Sequence, residues 1–195
     1  MKIGVLGGTF DPPHMGHILL AINSKKECGL DKIIILPSAN PPHKKADTKS
    51  EHRLNLAKII AKNYGFDLCE YEYKKSTPSY TVETIDYLKE IYPDDEIYFI
   101  IGGDSMIDFE KWYKWQELIV KCNFIVGIRD EESRKEVLKI VDEKIKKYGA
   151  NIIVLNNPAH KVSSSDIRKG NSLYEIPECV AEYIKENSLY KEIGV

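Results

Sequence analysis

Apolar residues run along this chain in short unbroken stretches separated by longer amphipathic ones. Lys2 to Leu6, Lys32 to Leu36, Phe66 to Tyr73, Ile97 to Ile101, Phe124 to Ile128 and Asn151 to Leu155 are the short stretches. Several are rich in Ile and Val with little polar alternation, which predicts strands buried on both faces of a parallel sheet. The intervening segments read as helices. Gly16 to Glu27 sets Ile18, Leu19 and Ile22 on one side, and Glu51 to Asn63 does the same with Leu54, Leu56, Ile59 and Ile60. Val82 to Tyr92 carries Val82, Ile85 and Leu88 and stops before Pro93. Trp112 to Val120, Glu131 to Tyr148 and Glu178 to Glu186, the last opening after Pro177, complete the set. Strand–helix alternation of this kind predicts an α/β fold. We expect a Rossmann-like, doubly wound parallel sheet of five or six strands with helices on both faces and a small helical C-terminal part.

The chain has 195 residues, 43% apolar and 30% charged, with a formal net charge of −2. That length suits one domain spanning residues 1–195, large enough to bury a core without a metal or disulfides. A general nucleic-acid binder is disfavoured by the charge, so an anionic ligand needs a local basic pocket. Cys28, Cys69, Cys122 and Cys179 are far apart and form no Cys-x-x-Cys pair, which argues against a zinc ribbon or redox pair. Glycines interrupt the apolar N-terminus at once, so it reads as a strand rather than a signal peptide. No apolar run approaches membrane-spanning length. A cytoplasmic location, with no membrane partner, is the expectation.

In parallel sheets ligands bind at the carboxyl ends of the strands. There the segment Gly7-Gly8-Thr9-Phe10-Asp11-Pro12-Pro13-His14-Met15-Gly16-His17 follows the first strand. Gly7 and Gly8 let backbone amides approach a phosphate closely. Asp11 to Pro13 makes a stiff turn, and the following helix start favours an anion. His14 and His17, three apart, lie on one helical face and can address the same phosphate chain. The glycines fit neither Gly-x-Gly-x-x-Gly nor a P-loop. The histidine pair has no third metal ligand at useful spacing.

This string resembles the signature Gly-Gly-Thr-Phe-Asp-Pro-x-His-x-Gly-His of the nucleotidyltransferase superfamily with the (T/H)xGH motif, and is most similar to bacterial nicotinate-nucleotide adenylyltransferases. The resemblance extends along nearly the whole chain. It implies that Gly7, Gly8, Thr9 and Phe10 meet ATP. Pro37-Ser38-Ala39-Asn40-Pro41-Pro42-His43-Lys44 matches a family loop whose lysine faces the triphosphate, which implies that role for Lys44 and a mononucleotide contact for Asn40. Pro78-Ser79-Tyr80-Thr81 precedes a helix; Ser79 or Thr81 is the obvious N-cap. The family's matching turn implies that Ser79, Tyr80 and Thr81 also contact nicotinate mononucleotide, with helix-start amides holding its carboxylate.

Gly102-Gly103-Asp104-Ser105 matches a family turn near adenine and ribose, implicating Gly102 and Asp104, although an N-cap role alone would also explain Asp104. In Lys111-Trp112-Tyr113-Lys114-Trp115, the resemblance makes Trp112 the platform for the pyridine ring, with Tyr113 beside it. Trp115, three residues on along the expected helix, reads as core. Arg129 matches a family arginine near adenine. Val162-Ser163-Ser164-Ser165-Asp166-Ile167-Arg168 is similar to the family's Ile-Ser-Ser-Thr-x-Ile-Arg, with Ser165 in place of Thr. Ser163, Ser164 and Ser165 are plausible caps as well as phosphate donors, and Arg168 can add a bidentate contact.

The implied partners are ATP and nicotinate mononucleotide. The reaction would transfer AMP to the mononucleotide in line, without a covalent intermediate, releasing pyrophosphate and forming deamido-NAD. Mg²⁺ would travel with ATP rather than sit in a protein cage. Phosphopantetheine adenylyltransferase shares the first and last motifs but lacks the Pro-Ser-Tyr-Thr and Lys-Trp-Tyr features. A nicotinamide mononucleotide acceptor and a catalytically silent nucleotide sensor are the other rivals. The sequence leaves open whether the chain forms a homo-oligomer.

Overall fold

The computed structural model describes residues 1–42, 46–75, 77–156 and 160–191. Strands β1 (Lys2–Gly8), β2 (Lys32–Pro37), β3 (Asp67–Leu68), β4 (Glu96–Gly102), β5 (Asn123–Gly127) and β6 (Ile152–Val154) form one sheet in the order β3-β2-β1-β4-β5-β6. This is the doubly wound order, which reverses direction at β1. The strands run parallel: Leu6 of β1 lies opposite Ile100 of β4, Gly102 opposite Gly127 of β5, and Val126 opposite Val154 of β6. Ile34 of β2 pairs with Asp67 of β3. The helices are α1 (Met15–Cys28), α2 (Ser50–Tyr64), α3 (Thr81–Ile91), α4 (Gly103–Ile107), α5 (Trp115–Lys121), α6 (Glu131–Tyr148), α7 (Ser164–Arg168) and α8 (Glu178–Glu186).

β1, β2, β4 and β5 are where the apolar runs predict them because their centres are buried, as continuous Ile and Val runs require. Helix ends follow local chemistry. Gly65 and Gly149, both left-handed at φ 67° and 66°, stop α2 and α6. Asp130 caps α6 by accepting from the Ser133 amide at 2.8 Å.

Two expectations fail. The strand expected over Phe66 to Tyr73 is only Asp67–Leu68, and Tyr71–Lys74 is a 3-10 turn that buries Glu72. This is an edge strand, and its Glu-Tyr-Glu-Tyr-Lys alternation satisfies a turn as easily as a ladder. The helix expected from Trp112 instead begins at Trp115, because Lys114 is left-handed at φ 51° and Phe109–Lys111 forms a separate 3-10 turn. Trp112 and Trp115 therefore do not share a helix face.

By contact the chain groups into two units. One comprises Met1–Leu6, Leu20–Ile33 and Tyr80–Ala159; the other comprises Gly7–Leu19, Ile34–Ser79 and His160–Val195. The first is centred on aromatic packing, with Phe109 and Phe124 edge to face at 5.2 Å and Phe99 on Phe124 at 6.2 Å. In the second, α2 and α8 pack together, and the Tyr183 hydroxyl lies 3.0 Å from Nδ1 of His52 and accepts from Asn55 at 2.9 Å. Among the described residues no helix is long and apolar enough to cross a membrane. The four cysteines are unbridged, and burial pushes the Cys122 thiol up to about 12.

Candidate active site

The glycines of the first motif are the last residues of β1 rather than a turn after it. The chain then passes through Phe10, whose backbone is left-handed at φ 51°. That conformation costs a bulky residue on the order of 1–2 kcal/mol. It turns the Phe10 ring into the core, 1% exposed, over Gly8 and edge-on to His17 at 5.1 Å. The Asp11–Pro12 peptide is cis.

His14 precedes α1 and is 1% exposed; its ring stacks on that of His17 with centroids 3.8 Å apart. The backbone N–H of His14 donates to Nδ1 of His17 at 3.2 Å. Because Nδ1 accepts, the neutral His17 ring carries its proton on Nε2, leaving that nitrogen as a donor. Gly16 explains why the histidines can approach this closely. A Cβ there would lie 2.8 Å from Val162 and 2.9 Å from Nδ1 of His14.

The closing motif belongs to the same unit. Ser163 is the N-cap of α7, accepting from the Asp166 amide at 3.1 Å. Ser164 donates to the Pro12 carbonyl at 2.8 Å, which ties α7 to the first motif. Arg168 donates through Nη1 to the Asp11 carbonyl at 2.6 Å and through Nη2 to Ser165 at 3.4 Å. Its Nε pairs with the exposed Asp47 carboxylate at 2.5 Å. Asn40 and Ser79 bind one another: the Asn40 amide donates to Ser79 Oγ at 3.1 Å and the Ser79 amide to the Asn40 carbonyl at 2.9 Å. Ser79 is therefore not a helix cap. Tyr80 is the N-cap of α3 without a side-chain bond, and Thr81 is its first helical residue. Lys44 lies outside the described residues.

The first unit groups the remaining predicted residues in two places. Arg129 pairs with Asp104 at 3.5 Å, and its Nη2 is the heavy atom nearest to where a Cβ on Gly102 would stand, at 4.0 Å. Asp104 is not an N-cap; Gly102 holds that position for α4. Tyr80 and Tyr113 lie with ring centroids 4.4 Å apart. Trp112 is half-buried, 5.3 Å from Phe109 and perpendicular to Phe99. Trp115 also reaches Phe109, edge-on at 6.3 Å, but its other neighbours differ: it lies edge-on to Tyr148 at 5.3 Å, with Nζ of the buried Lys144 4.1 Å from its ring centre. Lys144 also binds Glu110, and this bond holds the Glu110 carboxyl below its ordinary range.

Three residues matter here whose bonds sequence reasoning did not foresee, although Asp11 was read as part of a stiff turn. Asp11 is 3% exposed, and its carboxylate accepts from the Asp47 amide at 2.7 Å and the Tyr190 hydroxyl at 2.5 Å. Arg53 is 2% exposed and donates to the carbonyls of Thr9, Ser38, Ala39 and Thr48. A signal for Arg53 was present: it stands at helical spacing with Leu56, Ala57 and Ile60, on the buried face of α2. For Tyr190 there was none. Among the described residues no three His, Cys, Asp or Glu side chains gather in a way that could hold a metal ion.

Residues 5–170 match the cytidylyltransferase-like family model. Over 98% of both chains, the sequence is 39% identical to a Clostridium botulinum protein named probable nicotinate-nucleotide adenylyltransferase. It is 35% identical to a Shewanella frigidimarina protein of the same name, over 98% of this chain and all of that one. A solved structure of Plasmodium falciparum nicotinic acid mononucleotide adenylyltransferase complexed with NaAD shares the fold at a TM-score of 0.78, with 22% identity over 97% of each chain. With the histidine motif seated at the end of β1 and these relatives matched end to end, the chain belongs to the cytidylyltransferase-like family, among its nicotinate-nucleotide adenylyltransferases.

Proposed function

We propose that this protein transfers AMP from ATP to nicotinate mononucleotide, forming deamido-NAD and pyrophosphate. The observation that carries the reading is the stacked His14–His17 pair, with His17 held in the tautomer that leaves Nε2 as a donor. The attacking group is the 5′-phosphate of the mononucleotide. Its second pKa is near ~6, so at neutral pH it is already largely a nucleophilic dianion and no general base is required. The reaction needs two anions aligned and the charge on the transferred phosphoryl group neutralised.

His17 donates to the α-phosphate as charge develops there, and His14 serves the adjacent phosphate. Arg168 meets the leaving pyrophosphate, exchanging its exposed Asp47 partner for phosphate oxygen. Lys44 adds a point charge to the same end. Ser163, Ser164 and Ser165 keep α7 in place through their own bonds and turn their amides to the phosphates. ATP enters as its Mg²⁺ complex. Asp104 and Arg129, beside Gly102, take the ribose and adenine. Trp112 offers its indole to the pyridine ring, with Tyr80 and Tyr113 alongside. The amides at the start of α3, which lack a side-chain cap, hold the nicotinate carboxylate. Asn40 and Ser79, bonded to one another, offer a further contact to the mononucleotide. Four unbridged thiols suit a reducing cytoplasm.

The test is pyrophosphate release from ATP with nicotinate or nicotinamide mononucleotide as acceptor. Turnover with the nicotinate form, and a much lower kcat/KM with the amide, is expected. No pyrophosphate with either acceptor would discard the reading.

A further inference from the structure

Arg53 is a charged side chain almost wholly removed from water, and its hydrogen-bonding capacity goes to main-chain carbonyls from three separate segments. Nη1 donates to the Thr9 carbonyl at 3.2 Å and also to that of Ser38. Nη2 donates to the Ala39 carbonyl at 2.7 Å, and Nε to that of Thr48 at 3.3 Å. A guanidinium can do this because its donors are fixed in one planar fork; an ammonium has a single point of attachment. Two of these segments lead to residues assigned above to the reaction. Thr9 is followed by the left-handed Phe10, whose ring abuts His17. Ala39 is followed by Asn40, locked to Ser79 from both sides.

We infer that Arg53 is a positioning residue for adenylyl transfer, setting His17 through Thr9 and Phe10, and the mononucleotide-binding pair Asn40–Ser79 through Ser38 and Ala39. The inference rests on the adenylyltransferase reading. A left-handed phenylalanine persists only where its surroundings over-determine it. The fork on the Thr9 carbonyl is one constraint; a second is the bond from the Ser38 amide to the Gly8 carbonyl at 2.9 Å. Arg53 holds both ends of that link, because it binds Ser38 and Thr9 together. Release of the fork lets the 9–10 segment and the 38–40 segment relax independently. Catalytic alignment is sensitive on this scale, since a misplacement of about 1 Å can cost ~10²-fold in rate.

The test compares wild type, Arg53→Lys, Arg53→Ala and Phe10→Leu, with kinetics expressed per folded molecule and melting followed in parallel. Wild-type turnover of ATP and nicotinate mononucleotide is the control; if it is absent, the functional reading fails before Arg53 is at issue. Arg53→Lys retains the charge and loses the fork, so kcat falls ~10-fold or more and the KM for the mononucleotide rises as well. Phe10→Leu disturbs only the His17 arm, so kcat falls while the mononucleotide KM stays near wild type. Added guanidinium restores kcat in Arg53→Ala, and methylammonium does not. The inference is overturned by wild-type kcat and KM per folded molecule in Arg53→Lys, whatever its melting temperature. Equal rescue by the two cations, or a mononucleotide KM raised equally by Phe10→Leu, would overturn it too.

Discussion

The hydroxyl of Tyr190 donates a 2.5 Å hydrogen bond to Oδ1 of Asp11, 179 positions earlier in the chain. The other oxygen of that carboxylate accepts from the Asp47 amide, and the Asp11 carbonyl accepts from Arg168. One residue of the eleven-residue motif thus anchors the C-terminal segment, the 47–48 loop and α7. Tyr190→Phe keeps the ring and removes one hydrogen bond to a charged acceptor, so unfolding free energy falls by about 1.5–3 kcal/mol. Urea titration measures this; a midpoint matching wild type would show that the bond adds nothing.

Alkaline pH should find the same contact. Burial, then the bond to Asp11, holds the Tyr190 phenol well above its ordinary value. Burial and a 2.9 Å bond to Glu96 push Tyr98 up to about 12 from 10.0. A raised acid binds its proton more tightly in the folded state, so its contribution is complete below the unfolded value and is lost as pH rises towards the folded one. Stability should therefore fall from near pH 10 upward, across the window to about 12 set by Tyr98. The double variant Tyr98→Phe/Tyr190→Phe should have the flatter profile in thermal melts taken across that range. Parallel profiles would refute the assignment.

Gly16→Ala should destabilise despite the better helix propensity of alanine. Its Cβ meets Val162 at 2.8 Å and the His14 ring at 2.9 Å, closer than real contacts allow. Overpacking of this kind costs about 1–3 kcal/mol, against about 1 kcal/mol or less gained in propensity. The movable neighbour is His14, the imidazole proposed to serve a phosphate, so on that proposal kcat should fall even well below the melting temperature. A variant as stable and as active as wild type would mean that the close approach is not required.

His17→Ala removes the Nε2 donor and should lower kcat by roughly 10²–10³ with folding retained. Circular dichroism and steady-state kinetics read the two effects separately. Near-normal turnover would remove His17 from the transition state.

Trp112→Ala should raise the KM for nicotinate mononucleotide far more than that for ATP. Trp112 packs on Phe109 and Phe99, so some loss of stability is expected as well. An equal rise for both substrates would separate Trp112 from the pyridine ring.

What the sequence determined by itself was whatever depends on neighbours in the chain. Continuous Ile and Val runs placed five of the strands to within a residue or two, and glycines in left-handed positions ended α2 and α6. The eleven-residue motif was legible as a candidate phosphate site because a strand end, two glycines and a helix start are local features. Only the tertiary structure decided the rest. Lys114 takes a left-handed conformation, so Trp112 and Trp115, though both reach Phe109, part beyond it in spite of their helical spacing: Trp112 meets Phe99 and Trp115 meets Tyr148. The Ser79 hydroxyl accepts from the Asn40 amide rather than from the helix it precedes. Asp11 finds Tyr190, and Arg53 finds Thr9, across loops of 179 and 44 positions. Composition around any one of these residues does not specify such a partner. The choice follows from burial: a carboxylate or guanidinium taken out of water must be satisfied by whatever polar groups the packed core brings within reach.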